Sequence, residues 1–269
     1  MEQRVASMLQ LPLYYCAAAL AQKRIVIAGD FRQLPPIVRV GSNSSRGDSP
    51  AAALEADMKS LMTENAFTKS GVIAKSKIGE KTTELIALRD QYRMREPISN
   101  LISETFYPEH TLRTVAEKKD KPTPWGNEAF FFFDTTSLEP ESSTVNGKSR
   151  RNLMHALTVQ AIAEQLFEDG WELKSTAKKS FGIITPYAKQ SSFIESLLTT
   201  DPDKHVKGGI STVHRFQGNE RDLMIIDLTK VASDSEPNLG SFIGHPDPLA
   251  PENAMWNVAI SRARQHVII

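Results

Sequence analysis

Short β-branched apolar runs alternate along this chain with stretches whose apolar residues recur at helical spacing. Met8, Leu9, Leu13, Cys16 and Leu20 predict a helix over residues 7–22, with Ser7 as its cap and Pro12 in its first turn. Residues 24–28, Arg-Ile-Val-Ile-Ala, predict a fully buried strand. That strand delivers Gly29-Asp30-Phe31-Arg32-Gln33-Leu34-Pro35-Pro36 to a loop stiffened by two prolines. A Gly, Ser and Asn-containing loop over 41–50 leads to helices over 51–63 and 66–74. Residues 83–88 predict another strand, and Pro97 opens a helix that runs to Phe106.

The most apolar strand is predicted at 129–133, where four phenylalanines in a row suggest a central position. Residues 138–150 form a polar loop, and a helix fills 151–170 with Gly170 at its C′ position. Strands are predicted at 180–185, 210–216 and 223–228, helices at 188–198 and 252–264, and a last strand from His266. This β-α-β order predicts an α/β fold with a mostly parallel sheet and helices on both faces.

Composition narrows the class. A length of 269 residues suits one large or two modest domains. Lys+Arg and Asp+Glu are 32 each, so any nucleic-acid partner must be drawn by a local basic groove. The charge run around Lys118, Lys119, Asp120 and Lys121 reads as a solvated surface excursion. The single cysteine, Cys16, rules out a disulfide framework within the chain, and its apolar neighbours suggest an inert core thiol. No apolar run is long enough to span a bilayer and no signal-peptide pattern opens the chain, so a cytoplasmic setting is expected and no membrane partner.

Four clusters carry candidate chemistry: the octapeptide at 29–36; Gln91-Tyr92-Arg93; residues 212–220; and residues 257–264. Each sets Arg, Gln or Glu at an element end beside a turn or a small residue. Polar groups past the carboxyl ends of buried strands are where open α/β sheets bind ligands. Guanidinium groups match phosphate oxygens in pairs and keep their charge, so arginines from separate segments suit a polyphosphate. Taken singly, Arg215 or Arg264 reads as a surface ion pair.

In this order the clusters resemble the motifs of a superfamily 1 helicase core of the 5′-to-3′, nonsense-decay-helicase-like kind. The octapeptide is similar to motif III, the segment from Leu88 through Gln91-Tyr92-Arg93-Met94 to motif IV, Thr212 through Glu220 to motif V, and Asn257 through Arg264 to motif VI. Thr185-Pro186-Tyr187 with Gln190 resembles the segment between motifs IV and V. The resemblance implies a RecA-like P-loop NTPase fold: a complete second RecA-like domain over 91–269 and the C-terminal part of the first over 1–90. It further implies that Gln33 senses the γ-phosphate and that Arg93 and Arg262 act as arginine fingers. Asp30, Gly218 and Glu220 would line the nucleotide cleft, and Thr212, Pro186 and Tyr187 would lie along single-stranded DNA or RNA.

The departures are as informative. No Gly-x-x-x-x-Gly-Lys-Ser/Thr occurs, and Arg4 and Val5 stand where the family carries an Asp-Glu pair. ATP and Mg²⁺ are therefore expected in an intact parent protein, with neither held tightly, and no metal site formed, by this chain alone. The expected function is the C-terminal region of an ATP-dependent DNA/RNA helicase, inactive by itself and prone to self-association through exposed sheet surface. The alternative is a non-catalytic module that binds a partner or nucleic acid.

Overall fold

The computed structural model describes residues 10–35, 62, 64–71, 86–115, 119–138, 142–145, 149–199, 208–231 and 251–269. The chain divides into two compact units, Met1–Ala87 and Leu88–Ile269. The expected Ser7 cap and the 41–50 loop lie outside the described residues, as do Pro36 and all of the expected 51–63 helix except Met62, which is helical.

In the first unit, α1 (Leu11–Ala18) carries Pro12 in its first turn, where no helical amide is lost. Helix α2 (Ala66–Lys69) is capped by the Asn65 side chain, which accepts from the Phe67 amide at 2.9 Å. Residues 24–28 correct the expected buried strand. They form no ladder, and Ile25 and Val26 are 54% and 92% exposed. A β-branched run is buried only where strands pair with its edges and helices cover its faces, and no described residue does so here. The segment instead lines an apolar hollow of about 630 Å³ with α1 and α2. Cys16 is likewise an exposed thiol and not a core one.

The second unit is built on a five-stranded, wholly parallel sheet in the order β3-β9-β8-β6-β7. These strands are β3 (Phe130–Phe131), β6 (Phe181–Thr185), β7 (Ile210–Thr212), β8 (Arg221–Ile226) and β9 (Ala263–Ile268). Against one face pack α4 (Leu153–Glu168) and α5 (Ala188–Leu198), where Val159, Leu166 and Ile194 meet Phe181, Ile183 and Leu223. Alternate strand residues such as Ile184, Met224 and Val267 point to the other face. That face is covered by α3 (Glu96–Phe106) and α7 (Pro251–Ile260). Helix α4 ends as its sequence predicts: Gly170 takes φ +79°, and the Trp171 and Gly170 amides donate to Leu166 and Phe167.

Several elements depart from expectation for identifiable reasons. The phenylalanine strand β3 is an edge strand, paired only with β9, and Phe132 is 73% exposed. Apolarity alone does not report how many neighbours a strand has. Residues 138–150 are not all loop: β4 (Ser142–Val145) pairs antiparallel with β5 (Ser149–Asn152). A polar hairpin satisfies its backbone through the ladder and leaves no apolar alternation to read.

After β7 the chain turns into α6 (Val213–Phe216), so 210–216 is not one strand. Val213 and Phe216 are three apart and both buried, which fits one helical turn. Helix α7 stops at Ile260, short of residue 264, because Ala263 already pairs with Arg221 and the Arg221 amide donates to Arg262 O. Residues 86–89 form no strand, and Ile86 and Leu88 are exposed. The short β1 (Asp90–Gln91) pairs instead with β2 (Arg113–Thr114).

The charged excursion is clamped to the sheet and not simply solvated. Lys121 Nζ lies 2.7 Å from the buried Asp222 carboxylate, which also accepts from the Ser180 amide and hydroxyl. The buried His266 ring faces Glu128 O at 2.5 Å and Lys121 O at 2.8 Å. Burial pushes this imidazole down, against the two carbonyls that favour a charged ring.

Candidate functional site

In the first unit the octapeptide closes on itself. Asp30 accepts from the Arg32 amide at 3.0 Å through one carboxylate oxygen and from Gln33 Nε2 at 3.0 Å through the other. Asp30 and Gln33 are thus brought together. Arg32 and Leu34 are buried, and the Arg32 guanidinium lies 5.6 Å from the Phe31 ring centre.

In the second unit the sequence-predicted residues fall at opposite ends of the sheet. The arginine cluster gathers where β8 and β9 begin. Glu220, the residue before β8, takes Arg93 Nε at 2.6 Å on one oxygen and Arg264 Nη2 at 2.5 Å on the other. Arg93, from the segment preceding α3, also donates through Nη1 to Ser261 O at 3.3 Å. Burial alone would raise the Glu220 pKa, but Arg264 and then Arg93 outweigh it and hold the carboxyl below its usual value. The cluster is therefore intact above the ordinary carboxylate range and is lost only as pH falls through that lowered value. Two segments distant in sequence from Glu220 each supply a half-exposed guanidinium group to its carboxylate. A triphosphate offers the same kind of acceptor oxygens, so these donors fit it.

Arg262, two residues before Arg264, is buried, and its Nε donates to Val258 O at 3.2 Å. Arg264, which singly reads as a surface ion pair, is the second arginine on Glu220.

Gly218 sets the approach to the cluster. Gln217 (φ −58°, ψ 131°) and Gly218 (φ +91°) form a type II turn, closed by the Asn219 amide on Phe216 O at 3.0 Å. The third position of such a turn needs positive φ. Gly218→Ala is expected to cost about 1–2 kcal/mol, read as a lower urea midpoint. An unchanged midpoint would show that the turn tolerates a side chain.

Thr212, Pro186 and Tyr187 meet at the other end of the sheet. Thr185 and Thr212 end β6 and β7 as paired residues, and Pro186-Tyr187 follow directly into α5. Beneath them Gln190, already marked by the resemblance, joins a polar group whose other members, Asn152, His155, Asp227 and Thr229, the sequence does not reveal. Its members come from three segments, so no spacing in the chain announces it.

A family model described as an AAA domain matches residues 72–269. The ATP-dependent helicase NAM7 of Saccharomyces cerevisiae is 26% identical over 92% of this chain and 22% of its own length. A regulator of nonsense transcripts 1 homolog from Arabidopsis thaliana is 27% identical over 93% of the chain and 18% of its own length. The DNA replication ATP-dependent helicase/nuclease dna2 of Schizosaccharomyces pombe is 27% identical over 98% and 18%. The chain thus spans about a fifth of the length of these curated relatives. With a parallel sheet covered by helices on both faces and this match over most of its length, the chain belongs to the AAA-domain family of RecA-like P-loop NTPases, among the superfamily 1 helicases.

Proposed function

We propose that the chain is the C-terminal part of an ATP-dependent helicase core, with residues 91–269 as its second RecA-like domain and 1–90 as the end of its first. The observation that carries this reading is the convergence of Arg93 and Arg264 on Glu220. Charge placed around a γ-phosphate as its bond breaks is the main protein contribution to phosphoryl transfer. Arg93 and Arg262 then serve as fingers, Gln33 and Asp30 as the γ-phosphate sensor loop, and Gly218 and Glu220 as the nucleotide-side turn. The edge of Thr212, Pro186 and Tyr187 takes single-stranded DNA or RNA. Among the described residues no group of three His, Cys, Asp or Glu could hold a metal. A reducing, cytoplasmic setting suits the exposed Cys16 thiol.

The chain by itself is expected to hydrolyse no ATP, with or without single-stranded DNA or RNA, because no phosphate loop occurs in its sequence. A phosphate-release assay checks this. Robust turnover would place a complete site within these residues and contradict the assignment.

The exposed 24–28 segment and the apolar hollow beside it favour self-association. Light scattering is expected to give species larger than one chain, with Val26→Lys reducing them. A clean monomer at working concentration would remove this role from the segment.

A further inference from the structure

We propose that Asp227 is a positioning residue for the strand-end edge of Thr185, Pro186 and Tyr187; this rests on the reading of that edge as a seat for single-stranded nucleic acid. Asp227 is the first residue past β8 and is buried. Its carboxylate takes three donors: Gln190 Nε2 at 2.7 Å, the Thr229 amide at 2.7 Å and His155 Nδ1 at 3.1 Å. Gln190, in the first turn of α5, also bridges the backbone of Asn152, accepting from its amide at 2.9 Å and donating to its carbonyl at 3.0 Å. One acidic side chain thereby ties the start of α4, the start of α5 and the end of β8.

Thr229 gives this tie a direction. It is the one non-glycine described residue with positive φ, at +63°, a conformation that a β-branched residue adopts only under constraint. Three bonds hold it there. Its amide donates to Asp227, its carbonyl accepts from Asn152 Nδ2 at 3.0 Å, and its hydroxyl lies 2.8 Å from the Thr185 hydroxyl. Thr185 Oγ1 in turn accepts from the Tyr187 amide at 3.4 Å. A continuous path therefore runs from the Asp227 carboxylate through Thr229 and Thr185 to Tyr187. Backbone strain held by surrounding bonds clusters where geometry matters for function, and here it ends at the residue set to meet a base or phosphate.

A brace that served folding alone would change stability and leave the edge as it is, so the test separates the two. Asp227→Asn keeps shape and one acceptor but opposes the Gln190 amide with a second donor. Gln190→Glu opposes two carboxylates, and combining the two changes restores a donor facing an acceptor. Binding of fluorescein-labelled oligothymidylate and oligouridylate to the full chain is followed by anisotropy. Amide resonances of Tyr187 and Thr229 are followed in ¹⁵N spectra, and Tm is followed in parallel.

The expected result is a loss of affinity of about tenfold in Asp227→Asn, with the Tyr187 resonance displaced. The double variant should bind more tightly than Gln190→Glu alone at temperatures well below every Tm. Unmoved Tyr187 and Thr229 resonances, or full affinity in a variant set where Tyr187→Ala weakens binding, would overturn the proposal. If the unaltered chain binds neither oligonucleotide while Tyr187 still moves, the brace stands and the nucleic-acid reading of the edge falls.

Discussion

Replacing Arg93 by alanine is expected to lower kcat for ATP turnover of the proposed full-length enzyme by about 10³-fold or more. The guanidinium reaches the start of β8 from the segment before α3 and is held between Glu220 Oε2 at 2.6 Å and Ser261 O at 3.3 Å. It is half-exposed, so its charge is available to a nucleotide once a phosphate competes with Glu220. The effect belongs to kcat and not to KM, because a finger acts on charge that develops as the γ-phosphate departs. Arg93→Lys should recover little, since an ammonium does not reproduce the forked donors. Steady-state kinetics decides this: an unchanged kcat would remove Arg93 from the chemistry and leave it as an ion pair with Glu220.

The largest expected loss of stability is at Trp171. The indole is 1% exposed, with its Nε1 donating to Asp169 Oδ2 at 3.2 Å and Lys179 Nζ 5.5 Å from the ring centre. It follows the left-handed Gly170 and covers the end of α4 where Leu166 is also buried. Trp171→Ala opens a large hole in a close-packed core and is expected to cost about 3–5 kcal/mol. Urea unfolding measures it. A loss below about 1 kcal/mol would mean that neighbouring side chains close over the gap.

Much of this fold is legible in the sequence where local rules and burial agree. Helix α5 runs over 188–198 as its pattern predicts, and Gly170 ends α4 by the one conformation that suits it. What escapes local reading is set by neighbours. The apolar segment 24–28 and the phenylalanine strand β3 look alike as buried strands in sequence, yet one pairs with nothing described and the other lies at a sheet edge. The β4–β5 hairpin hides for the opposite reason, since its ladder is made by backbone and its side chains are polar.

The candidate site divides in the same way. Arg93 and Glu220 are visible as motif residues, and their meeting confirms that the two segments converge. Arg264 is invisible alone because a lone arginine beside turns is ordinarily a surface ion pair. Only the shared Glu220 carboxylate marks it as part of the cluster. Asp227 is harder still: a single acid after an apolar strand carries no signal until Gln190, His155 and Thr229 are seen around it.

The central claim is that these residues supply the arginine side of an ATP site completed elsewhere in a longer helicase. ATP turnover by the proposed full-length protein, measured beside the isolated 269-residue chain, tests it most directly. The account predicts turnover that rises with single-stranded DNA or RNA in the former and none in the latter. Turnover by the isolated chain, or a full-length protein that binds single strands yet never hydrolyses ATP, would contradict it.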